Sequence, residues 1–235
     1  MNTREHNKRR AWVLGAGALA ALLLASAVFT PWGRAFAQTL MQYFTPAESS
    51  TFPVPADLAQ TVPAGAPTAA PPAGLPGCEG QTGAQALACQ AAQAEAAVGY
   101  DLKLPADDIP GLTFIYAQVN VDQGFASFVY NAVGGGAGLS LSQAKGALGS
   151  VQWEAVPPEA VVETVSVGGS LAEYVRGTFV VYAGAQEAVW NPEAPVQRLR
   201  WREGETQFEI RLDGAVEAVE HLDREALIAL AESLR

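Results

Sequence analysis

The chain has 235 residues, 49% of them apolar, and a net charge of −10. That is enough for one domain of ordinary size besides a terminal segment and a linker. Residues 1–34 carry Arg4, Lys8, Arg9, Arg10 and Arg34 against Glu5, a net of +4, while the remainder carries 9 basic and 23 acidic side chains, a net of −14; so acidic a body repels phosphate backbones at long range and excludes nucleic acid as a partner.

Residues 1–10 form a basic tail. From Ala11 to Thr30 runs AWVLGAGALAALLLASAVFT, 20 residues without a charge. As a helix this run is about 30 Å long, the thickness of a bilayer core, whereas the apolar part of a signal peptide is about 7–15 residues. Lys8, Arg9 and Arg10 just before it hold the N-terminus in the cytoplasm. A single-pass transmembrane helix is expected over 11–30, with everything beyond it extracytoplasmic. Ala35-Phe36-Ala37 followed by Gln38 fits a signal-peptidase site, so a secreted form beginning at Gln38 is the alternative. The collar, residues 31–44, places Phe36, Leu40, Tyr43 and Phe44 at helical spacing with Trp32 one turn earlier, the pattern of an interfacial amphipathic helix.

Residues 45–81 are rich in proline and alanine and nearly free of charge, which predicts an extended, disordered spacer. Cys78 and Cys89 stand too far apart for a Cys-x-x-Cys metal or redox motif. Outside the cytoplasm they predict a disulfide, worth about 2–3 kcal/mol for a loop of roughly 12 residues. Residues 82–97 read as an alanine-rich helix whose only large aliphatic residues are Leu87 and, just beyond it, Val98, so weak packing is expected.

From Tyr100 the period changes to two. Along Leu112–Val121, Ile115, Ala117, Val119 and Val121 are expected on one face and Phe114, Tyr116, Gln118 and Asn120 on the other. Asp122-Gln123-Gly124 predicts a three-residue turn into a strand at Phe125–Tyr130. Gly134-Gly135-Gly136 precedes a strand at Leu139–Leu141, and Gly168-Gly169 joins strands at Glu163–Val167 and Glu173–Tyr182. In residues 196–212, VQRLRWREGETQFEIRL, a turn at Glu203-Gly204 would set Arg202 opposite Glu205, Arg200 opposite Gln207 and Arg198 opposite Glu209. Leu199 would then face Phe208, Trp201 face Thr206 and Gln197 face Ile210. Arg198, Arg200 and Arg202 are read as a solvated outer face with cross-strand ion pairs, in preference to an anion-binding stripe. The chain ends in a helix, Asp223–Leu234, with Asp223 as N-cap and a Leu222/Leu227 staple. The fold class is α+β: an antiparallel sheet of about six to eight strands with a C-terminal helix packed on it, occupying residues 82–235 and preceded by the transmembrane helix.

No catalytic constellation is expected. His6 is cytoplasmic and His221 has no second His or Cys at ligand spacing, so no metal is predicted. Gly168-Gly169-Ser170 and Gly149-Ser150 are not G-x-S-x-G elbows, and Gly134–Gly138 lacks a phosphate-loop lysine. Asp107 and Asp108 could be paired acids but read better as loop residues before the Ile109-Pro110-Gly111 turn. Phe114, Tyr116, Phe128, Tyr130, Phe179 and Tyr182 are candidates to line a hydrophobic-ligand cavity, with ordinary core roles the simpler reading.

The collar TPWGRAFAQTLMQYF, the opening QAEAAVGYDLKLPADDIPGLTFIYAQV and the ending LRWREGETQFEIRLDG…LDREALIALAESL together resemble certain bacterial single-span membrane proteins. These carry a C-terminal extracytoplasmic domain of uncharacterised function, often behind the span of anti-sigma-factor regulators. The resemblance implies a regulatory or sensing module with no assigned chemistry. With about ten residues before the span, this chain has no sigma-binding domain of its own and would act through a separate partner in the membrane or envelope. The expectation is therefore a non-catalytic, membrane-anchored extracytoplasmic binding or sensing module without a cofactor. An envelope carrier of a hydrophobic ligand is the alternative.

Overall fold

Apolar residues alternating along the strands between Leu112 and Leu212 gather on one face of an antiparallel sheet. The computed structural model describes residues 43, 44, 47, 49, 51–53, 75–146, 156–182 and 185–235. They fall within one unit, Tyr43–Arg235. The expected span, the cleavage motif and the collar as far as Gln42 lie outside the described residues. Among the described residues no helix is long and apolar enough to cross a membrane.

In chain order the elements are β1 (Thr51–Pro53), α1 (Gly83–Val98), β2 (Leu112–Asn120), β3 (Phe125–Ala132), β4 (Gly138–Lys145), β5 (Val162–Val167), β6 (Ser170–Arg176), β7 (Thr178–Val181), β8 (Glu187–Asn191), β9 (Val196–Glu203), β10 (Thr206–Asp213), a 3-10 turn (Glu217–Val219) and α2 (Arg224–Glu232). Seven strands form one sheet in the order β2-β3-β4-β10-β9-β6-β5, and β1-β8-β7 form a second sheet of three. Every pairing among the described residues is antiparallel. The class is α+β, with a C-terminal helix beside a sheet of the expected size.

Four local expectations change. A bulge between Phe114 and Tyr116 breaks the strict alternation of β2. It brings Phe114 to the same covered face as Ala117, with both buried. The strand read as Glu173–Tyr182 is two strands in two sheets, broken at Gly177. There φ is +105°, and an added Cβ would lie 2.8 Å from the Asn191 carbonyl oxygen, so only glycine fits the crossing. In the last hairpin the register is two residues from the expected one. The loop is Gly204-Glu205, with φ +59° at Gly204, the position where such loops take glycine. Arg200 therefore faces Glu209 and Trp201 faces Phe208, whose rings stack at 5.0 Å. A shift of two preserves the face of every side chain, so the apolar pattern could not distinguish the registers. Finally, within the stretch read as spacer, Thr51–Pro53 pairs with β8, and the Ala47 N–H donates to the Val156 carbonyl at 2.7 Å.

One face of the large sheet is covered by α1 at the β2 edge and by α2 towards β5 and β9. Phe128, Leu139, Leu141, Leu199, Trp201 and Ile210 are fully buried there. The Asp223 side chain caps α2 by accepting from the Ala226 N–H at 2.9 Å, and Leu222 and Leu227 are buried, as the staple requires. Far from packing weakly, α1 sits close to the sheet because its inner side is small. Ala86, Ala91 and Ala94 are buried, and the Gln90 side-chain carbonyl accepts from the Ala117 N–H at 2.7 Å. Cys78 and Cys89 form a disulfide across the start of this helix.

Candidate functional site

A cavity of about 220 Å³ opens where the N-terminus of α1, the loop before β2, and strands β2 and β3 meet. The sequence builds each wall for a local reason. Helix α1 starts at Gly83 after Thr82, which has extended backbone but makes no side-chain capping bond, and no acid stands in the first turn. The cap position and first turn thus give the first amide N–H groups no side-chain partner, and the nearby acids are Asp107 and Asp108, which line the same cavity. The loop is tied at both ends. Leu104 and Arg235 exchange backbone hydrogen bonds at 2.9 and 3.0 Å. At the other end Ile109-Pro110-Gly111-Leu112 forms a turn, with the Leu112 N–H donating to the Ile109 carbonyl at 3.1 Å. Proline then glycine at the two central positions suits a type II turn. Gly111 has φ +75°, and a Cβ there would stand 2.1 Å from the Ala218 carbonyl oxygen.

The lining is graded. Phe114, Ile109 and Leu112 supply buried apolar surface, while Asp107 and Asp108 are exposed at the mouth beside Gly83 and Ala84. Tyr130 completes the wall. It is 4% exposed, its ring meets Phe114 edge-on at 5.6 Å, and its hydroxyl has no hydrogen-bond partner among the described residues. A buried hydroxyl without a partner is costly and calls for an account. Burial first, and the Asp108 charge second, push its pKa well above the usual phenol range, so it is a neutral donor at any physiological pH.

A second constellation lies on the opposite face of the sheet. Thr164, Glu173, Arg200, Glu209, Ser142 and Ser127 stand in one cross-strand row over six strands. Five of them, from Glu173 to Ser127, are buried. Arg200 pairs with Glu209, and the Ser142 hydroxyl donates to Ser127 at 2.9 Å. The Tyr43 and Phe44 N–H groups both donate to Glu173, at 2.9 and 3.1 Å, and Arg200 donates to the Tyr43 carbonyl at 3.2 Å. The Phe44 ring lies 4.7 Å from the Arg200 guanidinium and 5.1 Å from that of Arg198, and Trp190 lies 5.8 Å from Arg198. Phe44 was expected at a lipid interface. It is 2% exposed, in a small core with Val156, Val175, Phe179, Ala188 and Trp190.

The expected outer-face arginines are thereby corrected. Arg198 is 0% and Arg200 4% exposed, and only Arg202 remains in solvent. The reason is the second sheet and the Tyr43–Phe44 segment, which cover a face that alternation alone assigns to water. The six candidate aromatics do not form one cavity. Phe114, Phe128 and Tyr130 come together under α1, Phe179 belongs to the other core, Tyr116 is half-buried and Tyr182 is 57% exposed. Of the six, Phe114 and Tyr130 line the cavity. Asp107 and Asp108 were read as plain loop residues; their signal was their place just before a proline–glycine turn, which fixes where they point. His221 is exposed, and no group of His, Cys, Asp or Glu among the described residues is arranged to hold a metal. A shallower groove of about 340 Å³ runs past Glu159, Glu163, Arg176 and Trp190. No family model, curated protein or solved structure matches this chain.

Proposed function

We propose that the chain is a membrane-anchored, extracytoplasmic binding or sensing module that works without catalysis and passes its signal to a separate protein in the membrane or envelope. The observation that carries this reading is the joining of a disulfide to a cavity. Cys78–Cys89 closes across the first turn of α1, and that same turn forms the rim beside Asp107 and Asp108. Disulfides persist in oxidising compartments, which favours export of the body. The 20 uncharged residues from Ala11 to Thr30 behind a basic tip favour retention of the anchor. The cavity is smaller than the roughly 300–1,000 Å³ of drug-sized sites. That size favours a small molecule over the lipid of the carrier reading.

Protease added to intact spheroplasts tests this placement. The body is expected to be digested while the membrane keeps an N-terminal stub with its starting methionine. Its two cysteines are expected to resist maleimide until reduced. A body protected from protease until lysis, or a mature chain free in the medium and beginning at Gln38, overturns the anchored reading.

A further inference from the structure

We propose that Glu173, Arg200 and Arg198 form a recognition site for a short bent peptide carrying an aromatic residue, and that Tyr43–Phe44 is the ligand this chain supplies to itself. An aromatic segment of another protein is then the class of ligand that can take its place. The inference goes beyond the binding-module reading and needs neither the anchor nor the cavity under α1.

The receiving groups belong to the sheet. Glu173 on β6, Arg200 on β9 and Glu209 on β10 are placed by strand pairing in which Tyr43 and Phe44 take no part. Glu173 and Arg200 are both buried, so they meet the peptide away from bulk water, where hydrogen bonds to a charged group are strong. One Glu173 carboxylate oxygen accepts from the Tyr43 N–H at 2.9 Å and from the Phe44 N–H at 3.1 Å. Consecutive N–H groups converge on one oxygen where the backbone turns, and the chain bends at Phe44. Arg200 donates to the Tyr43 carbonyl at 3.2 Å and pairs with Glu209, which holds its guanidinium in place. These three bonds read the peptide backbone and accept any side chain.

Selectivity comes from the ring at the second position. Phe44 lies 4.7 Å from the Arg200 guanidinium and 5.1 Å from that of Arg198, in a pocket closed by Val175, Phe179 and Trp190. The Tyr43 side chain is only half-buried, so the first position tolerates variety. Neither residue belongs to a strand or a helix. Among the described residues, the next backbone bond from this segment to the body is that of the Ala47 N–H to the Val156 carbonyl. Tyr43 and Phe44 are thus held as a ligand is held, by side chains of a receiving surface, and not by a ladder.

The test asks whether the ligand works from a separate molecule. The full chain in detergent carries Phe44→Ala, and the probe is the capped peptide of residues 42–47, QYFTPA. Millimolar peptide is expected to raise the melting temperature of the variant. Wild type is expected not to respond, because its own tethered segment competes at high effective concentration. Two altered peptides check the reading: one with alanine in place of the phenylalanine, one with a methyl group on the phenylalanine nitrogen, which removes a donor to Glu173. Each is expected to bind at least about tenfold more weakly, as is the unaltered peptide when Glu173→Gln is added to the variant. Phe44→Leu is the second background: it keeps most of the apolar volume, so the chain folds even where the alanine variant does not, and it still lacks the ring. The proposal is overturned by a peptide that raises the melting temperature of neither variant, by one that raises wild type as much as the variant, or by an N-methylated peptide that matches the unaltered one.

Discussion

The two faces of the seven-stranded sheet both bury side chains, by opposite means. One is sealed by α1 and α2 over apolar side chains such as Leu199, Trp201 and Ile210. The other buries Glu173, Arg200 and Glu209 in a row and seals part of it with the Phe44 ring and backbone. The apolar face gains stability from any well-filled arrangement. The charged face loses it unless each ion keeps its partner, because desolvation is compensated only by good geometry. The apolar face therefore carries the stability, while the charged face fixes one arrangement: the Tyr43–Phe44 segment docks where two N–H groups meet Glu173 and nowhere else.

The largest effect expected from breaking this contrast is at Arg200. Arg200→Ala leaves Glu173 and Glu209 buried on adjacent row positions without the cation between them. A loss of about 3–5 kcal/mol is expected in urea unfolding, as for other broken buried pairs. Replacing the set together, Glu173→Gln with Arg200→Met and Glu209→Gln, is expected to cost much less. If the single variant is as stable as wild type, the row is not a mutually dependent charge network. Next comes Phe44→Ala, which deletes a fully enclosed ring and two cation–π contacts. The expected cost is about 3 kcal/mol by comparison with other phenylalanine truncations. Limited proteolysis should then cut near Tyr43, while an unchanged pattern would mean that the segment is not a seal.

On the helix-covered face the corresponding weak point is covalent. The Cys78–Cys89 bridge closes a short loop over the start of α1. Cys78→Ser with Cys89→Ser is expected to cost about 2–3 kcal/mol. Hydrogen exchange should rise first in the opening turn of α1 and leave β9 and β10 protected. Exchange rising evenly through the sheet would mean that the bridge supports the whole core instead.

How much of this was legible follows the same division. The cap and staple at Asp223, Leu222 and Leu227, the Gly168-Gly169 turn and the apolar faces of β9 and β10 follow from local chemistry, and the structure agrees. The burial of Arg198 and Arg200 was not legible, because alternation marks a residue's side of a sheet and says nothing of what later covers that side. The two-residue slip in the hairpin was hidden for a related reason, since both registers preserve the faces. The tight packing of α1 was missed by weighing only large side chains, where close approach through Ala91 and Ala94 was the device. At the cavity, Phe114 and Tyr130 were visible as aromatics. Their meeting with Asp107 and Asp108 depends on the loop being tied to Arg235, a contact across the whole domain.

The smallest expected effect lies at the edge between the faces. Lys103 is held against β4 by Gln143, whose side-chain carbonyl accepts from the Lys103 N–H at 2.8 Å and whose amide donates back to the Lys103 carbonyl at 2.6 Å. From there the Lys103 ammonium pairs with Glu203, which also accepts from the Trp201 indole N–H at 3.1 Å. Burial alone would raise the Glu203 pKa, but the hydrogen bonds from Lys103 and Trp201, with the Lys103 charge, outweigh it and hold the group below its ordinary value of 4.5. A carboxyl depressed in the folded state stabilises it above the unfolded pKa, and that contribution is lost as pH falls from about 4.5 through the folded value. Glu203→Gln should therefore flatten the acid limb of the stability curve and leave the limb above pH 5 nearly parallel to wild type. The size is expected to be that of a partly exposed ion pair, under about 1 kcal/mol. The fold places this pair beside the indole of Trp201, whose ring is part of the apolar core, so tryptophan fluorescence followed through the acid transition reads it directly. An identical acid limb in wild type and Glu203→Gln would show that ionisation of Glu203 contributes nothing to the stability of the folded state.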